Sequence, residues 1–192
     1  AALARPERVA GLILVAPWVF AQRPTMPAGI AELYPLRRLS LFIGRQLGEG
    51  VLLEYSYADP GRIDEGRRRR MLIHTPLRDW DLAWGELLNR SLSTPVTVKE
   101  RLSEIRQPVL LLTGDQDRLV PVADSRKVGQ ALPNVTFEVL TGCGHVPQEE
   151  CPEQFEAAVS GWLRAQGAQG SVRGIPPAGV SPSTLHLSYR DP

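Results

Sequence analysis

Apolar residues fall into three short blocks along the chain, separated by stretches of helical or irregular pattern. Residues 9–16 form an almost unbroken apolar run closed by Pro17, and residues 108–113 form a second that ends in the turn Gly114-Asp115. Such runs suit parallel strands covered by helices on both faces, where neither side meets water. The third block, residues 135–140, alternates apolar and polar positions, as expected of a strand near a sheet edge. Ahead of it, Val128, Ala131 and Leu132 share a helical face that Pro133 ends. After Pro152, which suits a first helical turn, Phe155, Val159, Trp162 and Leu163 recur at helical spacing. Strand, helix, strand, helix predicts an α/β fold with a doubly wound, mostly parallel sheet.

The first two blocks are far apart. Residues 20–107 contain no convincing strand but carry helix-like stretches at 36–55 and 82–92. A connection of that length is normally a functional insertion, so a mostly helical cap or lid is expected there. The chain then divides into a core segment over 1–19, the cap over 20–107, a second core segment over 108–166 and a tail over 167–192. Gly, Pro and Ser dominate the tail, which can bury little and is expected to be disordered.

Charge and composition narrow the functions. A formal net charge of +1 across 192 residues argues against a nucleic-acid partner or an anionic membrane surface. The one dense basic run, Arg67 to Arg70, has no interleaved aromatics and reads as a solvated helix face. No apolar stretch is long enough for a transmembrane segment. Cys143 and Cys151 form no CxxC pattern; a disulfide between them is compatible with the sequence but not suggested by it. No metal site and no cofactor are indicated, and oligomeric state and compartment stay open.

Two loops carry candidate chemistry. In open parallel sheets ligands bind beyond the carboxyl ends of the strands. Asp117 lies just past the second block, where an aspartate can accept a hydrogen bond from a histidine, fix its tautomer and stabilise the imidazolium. It is read equally well as a turn aspartate satisfied by nearby backbone amides, a role that suits Asp115 better. Past the third block comes Gly142-Cys143-Gly144-His145. Its two glycines allow a sharp turn that brings His145 back over the strand ends. Histidine suits general-base work because its ordinary pKa lies near neutrality. A lone histidine is more often structural, and His74 and His186 have no comparable setting.

The run from Pro108 to Pro121, followed by Gly142-Cys143-Gly144-His145-Val146-Pro147-Gln148-Glu149-Glu150-Cys151-Pro152-Glu153, resembles the end of an α/β-hydrolase. Residues 4–17 resemble the segment just after that family's nucleophile helix. The run from Pro76 to Ala83, and the Cys-Gly-His-Val-Pro-Gln-Glu-Glu run, look like plant or algal members, for which chloroplast or cytoplasm would be the compartments. The likeness covers roughly residues 1 to 165. It implies that the three blocks are strands six to eight of the family sheet, with the cap inserted after strand six. It also implies that Asp117 is the triad acid and His145 the triad base, and that Trp18 faces the substrate pocket. Core packing accounts for Trp18 equally well.

The family's nucleophile sits on a strand-to-helix elbow, usually G-x-S-x-G. None of the chain's serines has those neighbours, including Ser40, Ser56, Ser91, Ser93, Ser103, Ser125 and Ser160. The expectation is a C-terminal portion of a hydrolase whose nucleophile and oxyanion hole lie elsewhere, inactive by itself. The parent would cleave an ester, thioester or amide of a small hydrophobic substrate. An aspartate at the elbow would instead give an epoxide hydrolase or dehalogenase-like enzyme, with Tyr34, Tyr55 or Tyr57 available to polarise an epoxide. A hydrolase fold reused without catalysis is the third reading.

Overall fold

The computed structural model describes residues 1–20, 53–73, 76–80, 82–83 and 97–168. Three strands, β1 (Leu12–Val15), β2 (Val109–Gly114) and β3 (Val135–Leu140), form a parallel sheet in the order β1-β2-β3. Leu12 pairs with Val109 and Val109 with Val135, so the carboxyl ends of all three strands point the same way. The blocks at 108–113 and 135–140 become strands almost residue for residue. The first is shorter than its apolar run, because only Leu12–Val15 pairs with β2.

Every residue of β2 is buried, which explains its lack of alternation. Val109 and Leu111 face one side, where α3 (Val122–Ala131) and a 3-10 helix over Thr97–Glu104 pack through Val128, Leu132, Leu102 and Ile105. Leu110 and Leu112 face the other, against Trp162, Phe155 and Val159 of α5 (Pro152–Ala168). Helices therefore cover both faces, as the unbroken apolar pattern predicts. Each fully buried Leu or Val contributes about 1.5–3 kcal/mol by leaving water. Leu102 and Ile105, within the stretch assigned to the cap, thus belong to the same core as β2.

β3 lies at the edge of this sheet. Val135 and Phe137 pack on the α3 side, while Leu140 turns to Phe155 and Ala158 of α5. The alternation weakens at its end, where Val139 is exposed. Ser125 on α3 donates to Thr113 of β2 at 3.3 Å, so two buried hydroxyls satisfy each other beneath the site.

Within residues 20–107 the described part shows α1, a single turn over Leu53–Ser56 at the end of the stretch at 36–55, and α2 (Glu65–Met71), which lies outside both expected stretches. Asp64 caps α2 by accepting from the Arg67 amide at 2.7 Å, and the arginine run lies on this helix. Arg69 pairs with Glu65 across one turn on an exposed face, in keeping with a solvated role. Most of the stretches at 36–55 and 82–92, with Tyr34 and His74, lies outside the described residues, as does the chain after Ala168 with His186. Among the described residues no helix is long and apolar enough to cross a membrane.

Candidate active site

The site forms where the loops after β2 and β3 meet. The Asp115 amide donates to Leu140 at 3.0 Å and the Gln116 amide to Cys143 at 3.0 Å, so the two loops run side by side. Asp115 fastens them further by accepting from the Gly142 amide at 2.7 Å. Gly142 has φ +70°, the left-handed turn expected of it. Gly144 serves a different need: a Cβ there would lie 2.6 Å from both the Ala58 nitrogen and the Ser56 oxygen. Only a residue without a side chain lets residues 56–58 pass so close.

This junction brings Asp117 and His145 together, 28 residues apart in sequence. His145 Nδ1 donates to Asp117 Oδ2 at 2.9 Å. The other carboxylate oxygen, Oδ1, accepts from the Leu119 amide at 2.9 Å and the Val120 amide at 2.8 Å. The Asp117 side chain is fully buried, while that of His145 keeps 24% of its surface exposed. Three N–H donors compensate the buried carboxylate, which would otherwise be costly to desolvate. Because the carboxylate can only accept, the bond assigns the ring proton to Nδ1 and leaves the lone pair on Nε2. A histidine held in that tautomer can remove a proton at Nε2, with the aspartate stabilising the cation that results.

The backbone around His145 is held as firmly as its ring. The His145 amide donates to Ser56 at 2.7 Å. Glu150, on the single-turn helix α4 (Pro147–Glu150), is buried and accepts from the Gly144, Ala58 and Asp59 amides at 2.6, 3.0 and 2.8 Å. Arg118, next to Asp117, donates to the carbonyls of Glu54 and Tyr57 and stacks over the Tyr55 ring at 4.9 Å. Cys143 and Cys151 are joined by a disulfide that spans the histidine loop and α4. The sequence did not suggest this bond. The fold brings the two cysteines' Cα atoms to 6.1 Å by folding α4 back toward Gly142.

Trp18 lies past the end of β1 with 37% of its surface exposed, so simple burial in the core does not describe it. The Tyr57 hydroxyl donates to Glu149 at 2.8 Å and its side chain is wholly buried, which occupies it elsewhere than in epoxide chemistry. Burial pushes the Tyr57 phenol well above its ordinary value, and the bonded Glu149 carboxylate adds to the shift. Tyr55 lies beneath Arg118. Among the described residues no cluster of His, Cys, Asp or Glu could hold a metal ion.

Glu150, Arg118 and residues 56–59 escaped the sequence reading. Apart from the bond between Gly144 and Glu150, their contacts described above join positions 61 to 92 residues apart, and no local spacing announces them.

Comparison with known proteins agrees with this architecture. The chain is 30% identical over 164 residues to a pimeloyl-[acyl-carrier protein] methyl ester esterase of Nitrosomonas europaea, covering 80% of this chain and 62% of that protein. It is 39% identical over 64 residues to a 2-hydroxy-6-oxononadienedioate/2-hydroxy-6-oxononatrienedioate hydrolase of Burkholderia vietnamiensis, covering 33% of this chain and 22% of that protein. A thermophilic esterase from Thermogutta terrifontis shares its fold with a TM-score of 0.63 and 24% identity, over 85% of this chain and 59% of the esterase. The chain thus spans less than two thirds of each of these proteins. The sequence profile described as "Alpha/beta hydrolase family" matches residues 1–158, and the chain belongs to that family.

Proposed function

We propose that Asp117 and His145 are the acid and general base of a hydrolase that cleaves an ester, thioester or amide by acyl transfer to a serine. The observation that carries this reading is the 2.9 Å bond from His145 Nδ1 to a buried aspartate at the carboxyl end of a parallel sheet. In this scheme Nε2 of His145 removes the serine proton as the acyl bond forms. The same nitrogen then protonates the leaving group, and a water molecule activated by His145 releases the acyl product. Asp117 holds the imidazole and stabilises its charged form throughout.

No serine of this chain has the neighbours of a nucleophile elbow, so the serine and the oxyanion donors are assigned to sequence adjoining these 192 residues in the parent protein. Within residues 20–107, the part outside the β2 core to which Leu102 and Ile105 belong would form the lid over a small hydrophobic substrate, which Trp18 would contact from the end of β1. Similarity to the Nitrosomonas europaea methyl ester esterase favours ester chemistry. The test is hydrolysis of p-nitrophenyl esters of increasing acyl length by the polypeptide that the parent gene encodes. Turnover abolished by His145→Ala is the expected result, and turnover that persists in that variant would refute the assignment.

A further inference from the structure

We infer that Glu150 is a positioning residue, which sets the ring of His145 by bolting its loop to residues 56–59. The inference rests on the reading of His145 as the general base and adds a residue that acts on it through the backbone.

Both ends of the clamp are visible. His145 is fixed from its own amide, which donates to Ser56, and from the preceding amide of Gly144, which donates to Glu150 Oε2. The same Oε2 accepts from Ala58, and Oε1 accepts from Asp59. One buried carboxylate therefore gathers the amide before the histidine and two amides just past the carbonyl that holds the histidine. Arg118 also holds this segment, through the Glu54 and Tyr57 carbonyls, but Glu150 ties it directly to the amide that precedes the histidine. The arrangement also explains the close passage at Gly144, since a Cβ there would separate the very backbones that Glu150 joins. Arg62 donates to the Glu150 carbonyl at 3.1 Å and holds the carboxylate's own helix in place.

The chemistry of the three contacts separates substitutions. Methionine matches the shape of glutamate but cannot accept strongly, so E150M leaves three amides without a partner. Glutamine keeps one carbonyl oxygen. Turned toward the side with two donors, it retains Gly144 and Ala58 and gives up only Asp59.

The measurement is the 15N shift pattern of histidine ring nitrogens in the whole chain, with the His145 signals assigned from their loss in H145Q. Val128→Ala, in the core beneath α3, serves as a destabilised control. In the unsubstituted chain the neutral ring of His145 should show a single Nδ1–H tautomer. E150M should lose it and show mixed tautomers, E150Q should restore it, and V128A should leave it unchanged despite a comparable fall in melting temperature. A pattern unmoved in E150M, or lost equally in V128A, would overturn the proposal. Should E150M not fold, E150Q carries the test through amide exchange. Faster exchange at Asp59 with Gly144 still protected supports the clamp, and no change at either overturns it. Absence of the Nδ1–H tautomer from the unsubstituted chain would instead remove the Asp117–His145 pair itself, and the inference with it.

Discussion

Asp117 divides its carboxylate between two tasks: Oδ2 faces His145 Nδ1 at 2.9 Å, and Oδ1 receives the amides of Leu119 and Val120. The turn that places the aspartate and the histidine it serves are thus satisfied by one group. Read from sequence, a turn role and a histidine-orienting role compete for this residue, yet the geometry needs both. An aspartate anchored by its own turn has one rotamer, and that rotamer presents its second oxygen to the imidazole.

This division makes the two roles separable. Asp117→Asn retains an oxygen for Leu119 and Val120 but turns an NH2 toward His145, forcing the ring to accept at Nδ1 and carry its proton on Nε2. Stability should fall by about 1 kcal/mol, whereas Asp117→Ala, which strands two amides, should cost about 2–4 kcal/mol. Urea denaturation of both variants, alongside the histidine ring shifts, checks the separation. Equal losses, or an unchanged tautomer in D117N, would contradict it.

Gly144→Ala should be more damaging than its single added methyl suggests. The new Cβ meets the backbone of Ser56 and Ala58 at 2.6 Å, and backbone cannot move aside as a flexible side chain can. A loss of about 1–3 kcal/mol is expected, with faster amide exchange at Ala58 and His145. By contrast Gly161, with open space around it, should accept alanine and gain slightly from helix propensity.

The disulfide between Cys143 and Cys151 closes a short loop that contains both His145 and Glu150. Constraint of the unfolded chain by a loop of this size is worth about 2–3 kcal/mol. The C143S/C151S double variant should therefore melt at lower temperature than the oxidised chain, and added dithiol should have no further effect on it. An unchanged melting temperature would show that loop packing alone supplies the stability.

Tyr57 predicts an alkaline limit. Its phenol is raised above the ordinary value of 10.0, by burial first and by Glu149 second. The unfolded chain therefore loses this proton before the folded one does. The stability it contributes is fully present below pH 10.0 and declines as pH rises above it. Well above that point, while the folded chain still keeps its proton, the decline approaches about 1.4 kcal/mol per pH unit. Tyr57→Phe should flatten the alkaline side of the stability profile, and a slope identical to that of the unsubstituted chain would count against the assignment.

Much of this was legible before any coordinates. The apolar runs at 108–113 and 135–140 became β2 and β3 because a strand buried on both faces, or alternating at an edge, writes its environment into adjacent residues. Asp117 and His145 were visible because strand end, turn and glycine lie together in sequence. Glu150 was not: a buried acid beside the exposed-looking Glu149 carries no mark of its burial, and two of its three amide partners are 91 and 92 residues away. The cysteines were equally silent, since their approach depends on the path of α4 rather than on their spacing. Trp18 shows the limit of reading one residue by its neighbours, for the sequence left pocket and core equally open and only the fold shows 37% of its surface exposed.

The most direct test of the central claim compares kcat/KM for p-nitrophenyl ester hydrolysis by the parent gene's polypeptide with that of its H145A and D117N variants. If His145 is the base and Asp117 orients it, kcat should fall by about 10,000-fold in each, with KM little changed. Activity in H145A within about tenfold of the unsubstituted protein would contradict the account, because removal of a general base costs far more than that.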